Sequence, residues 1–290
     1  MNAIFLSKYL NGTLILMCAI LWAPVNTQAS EQLTLGIHPY KSPKKLLKIY
    51  QPLVTIIEKK IKRPVKLVIA KDYATHIHQV GNNQLDIAYM GPASYVQMVK
   101  QFGEKKLLAR QAINNKPTFQ GKIIVLQNSP INTLSELASK RFAFGDPNST
   151  MSHLVPRYML ISSGITANKL NKIDFLGSHD NVALGVLTGD YDAGAVKEAV
   201  YYKYKSRGIK ALATTPALSE HVFVAGNHLS DKLSNSIKHI LLNLKNSNDG
   251  RSAMKKIKKK MTAMLPVKDS DYDNLREILG TLKQHNIIND

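Results

Sequence analysis

Only one cysteine occurs in the 290 residues, Cys18. A disulfide framework and a cysteine-bound metal are therefore excluded, and an oxidising compartment poses no hazard. Long apolar runs are just as scarce. The run from Leu14 to Ala23 is about ten residues, too short to span a bilayer but right for the apolar part of an export signal. Lys8 is the only charge in the first 29 residues, and Thr27-Gln28-Ala29 places small residues at the cleavage positions before Ser30. Residues 1–29 thus read as a signal peptide, cleaved on export, with an uncleaved anchor as the alternative. Met17 precedes Cys18 where lipidation wants a small residue, which argues against a lipoprotein.

Acidic residues are few: Asp and Glu number 20 against 39 Lys and Arg, a net charge of +19 that becomes +18 without Lys8. The excess sits in runs such as Lys59-Lys60-Ile61-Lys62-Arg63 and Lys255-Lys256-Ile257-Lys258-Lys259-Lys260. Nucleic acid is excluded as a partner by export and by the lack of any helix-turn-helix, zinc or RNP-type signature. The lysines read as a solvated surface whose field steers small anions inward. A Walker loop and a Gly-x-Ser-x-Gly elbow are both missing, so no enzyme class is indicated. His76 and His78 fall in an expected helix, where residues two apart diverge, and no metal site is expected.

What is present is an alternation of strand and helix signals. Leu33–Ile37 reads as a strand, and Pro52 is placed in the first turn of a helix running to about Ile61. Val65–Ala70 and Leu85–Tyr89 read as strands around a helix over Thr75–Gly81, and another helix begins near Ser94. Gln120–Gln127 reads as a long strand opening a second series. There Thr133-Leu-Ser-Glu136 suggests a capping box, and Phe142–Phe144, Ile173–Leu176 and Asp192–Val196 are strands. Val222–Ala225 looks like a return strand, and the tail from Ser230 is helical. This order predicts an α/β protein of two lobes, each a mostly parallel sheet flanked by helices, with the ligand in a cleft between them. The expected lobes are residues 30–121 with 225–290, and 122–224, hinged because the chain crosses twice.

The most informative stretch is Phe144-Gly145-Asp146-Pro147-Asn148-Ser149-Thr150-Met151-Ser152-His153. A strand ends, Gly and Pro shape a turn, and hydroxyls cluster where a helix starts. The first helical turn carries unpaired N–H groups that attract anions, although an ordinary Ser/Thr cap gives the same pattern. The stretch resembles the signature of the phosphate/phosphite/phosphonate-binding proteins of ABC importers. Lys71-Asp72-Tyr73, Asp86-Ile87-Ala88-Tyr89-Met90-Gly91-Pro92, Gly177-Ser178-His179-Asp180-Asn181 and Gly189-Asp190-Tyr191-Asp192-Ala193 resemble that family's other blocks, in its order and spacing.

The resemblance implies a type II periplasmic-binding-protein fold and a small phosphorus oxyanion as ligand. It also implies an ABC permease as partner, a periplasmic monomer, no cofactor and no catalysis. A ligand sensor feeding a histidine kinase or chemoreceptor is the alternative. Carried over by position, Tyr73, Ser149, Thr150, Ser152 and His179 are the phosphoryl contacts, and Glu198 lies near the amine-recognising position. Asp192 or Glu198 is expected to accept the proton of a monoprotonated ligand, which sulfate lacks. Phe119 stands where phosphonate binders of the family offer a Tyr, and the second acidic amine contact is unmatched near Glu220-His221. Compact ligands are therefore expected over aminoalkyl phosphonates.

Overall fold

A computed structural model describes residues 31–288. The expected signal peptide lies outside them. The first half contains β1 (Leu33–Ile37), α1 (Pro43–Ile61), β2 (Val65–Ile69), α2 (Tyr73–Gly81), β3 (Ile87–Met90), α3 (Pro92–Phe102), β4 (Lys106–Ile113) and β5 (Thr118–Phe119). The second contains β6 (Gly121–Leu126), β7 (Arg141–Phe144), α4 (Val155–Ser162), β8 (Lys172–Phe175), α5 (His179–Leu187), β9 (Ala193–Lys197), α6 (Glu198–Tyr204) and β10 (Ile209–Thr214). The chain returns through β11 (Leu218–Ser219) and β12 (Val222–Ala225), then adds α7 (Asp231–Leu242), α8 (Asn248–Ile257), β13 (Met261–Leu265) and α9 (Asp273–Gln284).

Six strands form one sheet in the order β13-β4-β12-β3-β1-β2, and five form another, β10-β6-β9-β7-β8. Each has a parallel centre, β2-β1-β3 and β8-β7-β9, completed by antiparallel strands. Both faces of each sheet are covered. Along β3, Ile87 and Tyr89 enter one core while Ala88 and Met90 enter the other, as the two-residue pleat requires. Phe142 and Phe144 face one core of the second sheet and Ala143 the other.

A short antiparallel ribbon, β5 with β11, joins the halves, pairing Phe119 with Leu218. Beside it the Gly121 amide donates to Thr215 Oγ1 at 2.8 Å and the Thr215 amide to the Gly121 carbonyl at 3.1 Å. Because β12 belongs to the first sheet, the second crossing falls before Val222, slightly earlier than residue 225.

Three local expectations are corrected. Helix α1 begins at Pro43, not Pro52. Pro43 occupies the first turn, where no N–H is needed, and Pro52 sits inside the helix. The buried stripe Leu46, Tyr50, Leu53, Val54, Ile57 runs unbroken past Pro52, so packing on the sheet outweighs the lost hydrogen bond. The tail is not all helix, since β13 pairs antiparallel with β4 at the sheet edge. The segment after Thr133 forms only a short 3₁₀ turn at Ser135–Leu137; Glu136 does reach back, but to the Asn132 amide at 2.8 Å.

Candidate functional site

The C-terminal ends of the parallel strands of both sheets point at one small cavity, as open α/β sheets direct their ligand loops. Its walls are His38, Tyr40, Tyr73, Gly91, Phe119 and His221 from the first half and the ribbon, with Ser149, Thr150, Met151, His179 and Lys197 from the second. The free volume is about 20 Å³, little more than one water needs, so the two halves are drawn together around their donors. A far larger cavity of about 1040 Å³ lies on the other side of the Pro147–Asn148 turn, among α3, α4 and α9, and contains none of the candidate residues.

Local sequence explains how each donor is placed. Asp72 caps α2 by accepting the Thr75 amide at 2.7 Å, which leaves Tyr73 as the first helical residue at the cavity wall. Burial, then the nearby Asp146 and Tyr40, raises the Tyr73 phenol well above its ordinary pKa, so it is a neutral O–H donor. Ser149 caps the next helix, whose first turn is a π turn over Thr150–Leu154, and accepts the Ser152 amide at 3.4 Å. Its own hydroxyl proton remains free to donate. Thr150 Oγ1 accepts the Ala93 amide of α3 at 3.0 Å, a bond that spans the two halves, and its proton is likewise free. Met151, Leu154 and Val155 follow it into the core of the first half. Burying such side chains is worth ~1.5–3 kcal/mol each, so this segment ties the halves together.

Ser178 caps α5 and places His179 at its first position. The Lys197 amide donates to His179 Nδ1 at 3.0 Å, which fixes the proton on Nε2 and makes this ring a neutral donor. Burial, and then Lys197, His221 and Lys41, hold its pKa well below the ordinary value. The opposite wall has the reverse polarity. His221 Nδ1 lies 2.8 Å from Glu220 Oε2, and His38 Nδ1 lies 3.2 Å from the Tyr89 carbonyl, so each ring carries its proton on Nδ1 and offers Nε2 as an acceptor. The two rings stack, with centroids 5.4 Å apart. Lys258 Nζ reaches both oxygens of Glu220, at 3.0 and 2.9 Å. Burial would raise the Glu220 pKa, but Lys258 and His221 overcome it and hold the carboxylate ionised.

Of the seven expected contacts, Tyr73, Ser149, Thr150 and His179 line the cavity. Ser152 does not. It is fully buried, with Oγ against Gly145, where an added Cβ would sit only 1.9 Å from that oxygen. Gly145 is thus required by close approach. Asp192 is corrected outright: it takes the Arg141 amide at 2.8 Å and the guanidinium at 2.9 and 3.1 Å, at the N-terminal end of β9, away from the cleft. Asp86 plays the same part before β3, accepting the Thr34 amide and hydroxyl at 2.7 and 2.8 Å. Both acids pin a strand to its neighbour. Glu198 opens α6 and its amide caps the Gln120 carbonyl; its neighbour Lys197 is the residue that lines the cavity. Phe119 does stand in the wall, so the hydroxyl of a Tyr is missing there. His38, Tyr40, Lys197 and His221 went unrecognised in the sequence. Their only signal was position, since His38 directly follows a parallel strand and Lys197 ends one.

Neutral buried histidines have a consequence for stability. Burial lowers His76, His153 and His221 from an ordinary 6.5 to about 4. Between those values the unfolded chain binds more protons than the folded one, so stability is full above the unfolded pKa and falls as pH drops toward 4. Each contributes at most about 3 kcal/mol. The unfolding midpoint should drop steeply from about pH 7.5 to about pH 5; equal midpoints would contradict the neutral assignment.

Two α/β halves, linked by a double crossing and closed on a cleft of polar donors, define a binding protein of the type II periplasmic class. The fold agrees with that of PhnD1 from Prochlorococcus marinus, solved in complex with methylphosphonate: the TM-score is 0.79 at 24% identity, covering 89% of this chain and 99% of that one. The family model for the ABC transporter, phosphonate, periplasmic substrate-binding protein matches residues 35–272, and the chain belongs to this family. It is 26% identical over 275 residues to the phosphate-import protein PhnD of Mycolicibacterium smegmatis, covering 86% of this chain and 85% of that protein. It is also 26% identical over 249 residues to the phosphonates-binding periplasmic protein of Escherichia coli, covering 82% and 73%.

Proposed function

We propose that this protein, exported through a cleaved signal peptide, captures a compact phosphorus oxyanion as a monomer and delivers it to an ABC permease without turnover. Phosphonate, phosphite and phosphate share the required chemistry. The observation that carries this reading is the convergence of Tyr73, Ser149, Thr150 and His179, all neutral donors, on one small cavity. Neutral donors with the first-turn amides of a helix satisfy an anion without ion pairing to every oxygen. Capture closes the halves about the β5–β11 ribbon, and Thr150 to Ala93 is one bond of the closed state.

Selectivity over sulfate rests on the acceptor wall rather than on Asp192. A monoprotonated phosphorus ligand donates its O–H to Nε2 of His221 or His38, whereas sulfate has no proton to give. An acceptor left unpaired opposite an aprotic anion costs ~1–3 kcal/mol. A thermal-shift panel of phosphate, phosphite, methylphosphonate and sulfate tests this. One or more phosphorus ligands should raise the midpoint strongly and sulfate only weakly; stabilisation by sulfate alone would overturn the reading.

A further inference from the structure

One side chain of the cleft wall is an amine. Lys197 ends β9, lines the cavity, and stands with Nζ 5.1 Å from the Tyr40 ring centroid across the gap between halves. The charged groups around it are two cations, Lys258 and Lys41, opposed by two acids, Glu220 and Asp180. His38, His179 and His221 also face it. Glu220 is the acid that contacts a cavity-lining ring, and it is already saturated. Lys258 lies 2.9 and 3.0 Å from its two oxygens, and His221 takes the Oε2 side at 2.8 Å. Asp180 is paired with Lys203.

We propose that Lys197 is the charged ligand contact of this cleft, meeting a phosphorus oxyanion with its ammonium and excluding ligands that carry an amine. The inference rests on the proposed function and names its substrate class more narrowly. A ligand ammonium entering here meets Lys197 and finds the carboxylate of Glu220 engaged by Lys258. Like charges brought together in a desolvated site repel strongly, so an aminoalkyl phosphonate loses more at its amine than its phosphonate gains.

Binding is proton-linked as a result. Burial, then Lys258 and Lys41, lower the Lys197 pKa from 10.5 to about 7, and an anion beside it reverses much of that shift. The protonated form is the binding form. With an unliganded pKa of about 7, affinity should fall about thirtyfold between pH 6 and pH 8.5 through this residue alone.

Titration calorimetry with methylphosphonate and 2-aminoethylphosphonate, on wild type, Lys197→Arg and Lys197→Met at about pH 6 and about pH 8.5, tests the proposal. The ligand's own ionisation is common to all three proteins, so differences between them report residue 197. Wild type should lose about thirtyfold more affinity for methylphosphonate over this range than Lys197→Arg, whose guanidinium stays charged. Lys197→Met should bind methylphosphonate at least about tenfold more weakly at the lower pH, and should narrow the gap between the two ligands. If Lys197→Met keeps wild-type affinity and pH profile, the inference fails while the cleft reading stands; if wild type prefers 2-aminoethylphosphonate, the inference and the compact-ligand part of that reading fail together. If wild type binds no phosphorus ligand at either pH, both fall together.

Discussion

Replacing Ser149 by Ala and Thr150 by Val in one protein is expected to abolish anion binding and leave the protein folded. Each hydroxyl lines the cavity with its proton uncommitted, because Ser149 Oγ accepts from Ser152 and Thr150 Oγ1 accepts from Ala93. Each lost charge-assisted hydrogen bond costs ~1.5–3 kcal/mol, so the pair should cost about 10²- to 10⁴-fold in affinity. The Thr150 change also deprives the Ala93 amide of its partner across the halves, weakening the closed state that holds the ligand. Stability should fall only modestly, by ~1 kcal/mol for the lost cap and a similar amount for the unpaired amide. Calorimetry with methylphosphonate, beside a denaturation curve, separates the two effects. A folded double variant with wild-type affinity would remove these residues from the site.

Glu220→Ala should produce the largest loss of stability near the cleft. The carboxylate is 2% exposed and sits between Lys258 and His221. Removing it strands the Lys258 ammonium, whose side chain is 23% exposed, and leaves His221 Nδ1–H without an acceptor. Breaking a buried pair from one side costs ~3–5 kcal/mol; the partial exposure of Lys258 places the expectation at the low end, about 3 kcal/mol. Adding Lys258→Met should recover much of it, since no stranded charge remains. A single variant that loses under about 1 kcal/mol, or a double variant no better than the single, would contradict the pairing.

Most of the scaffold was legible because it is written in local signals. Val222–Ala225 is a strand with the bounds the sequence suggests, and Tyr73, Ser149, Thr150 and His179, indicated by the family resemblance, stand at helix N-termini that follow strands. The misreadings came where distant packing decides. Pro52 stops a helix in isolation, but the apolar stripe of α1 lies on the sheet and carries the helix through it. The edge strand β13 acquires its identity from β4, far away in sequence. Asp192 looked like a site acid because its block resembles a ligand-binding family, yet the partner that claims it, Arg141, lies 51 residues earlier. Lys197 was hidden for the opposite reason. A lysine at a strand end is ordinary until His179, Tyr40 and His221 are seen around the same cavity.

A crystal structure with methylphosphonate tests the central claim most directly. The account predicts a phosphorus atom in the cleft, with its oxygens within hydrogen-bond distance of Tyr73 Oη, Ser149 Oγ, Thr150 Oγ1 and His179 Nε2, and with the Lys197 ammonium on the same group. Methylphosphonate bound elsewhere on the protein, or held in the cleft without the Ser149 and Thr150 hydroxyls, would contradict it.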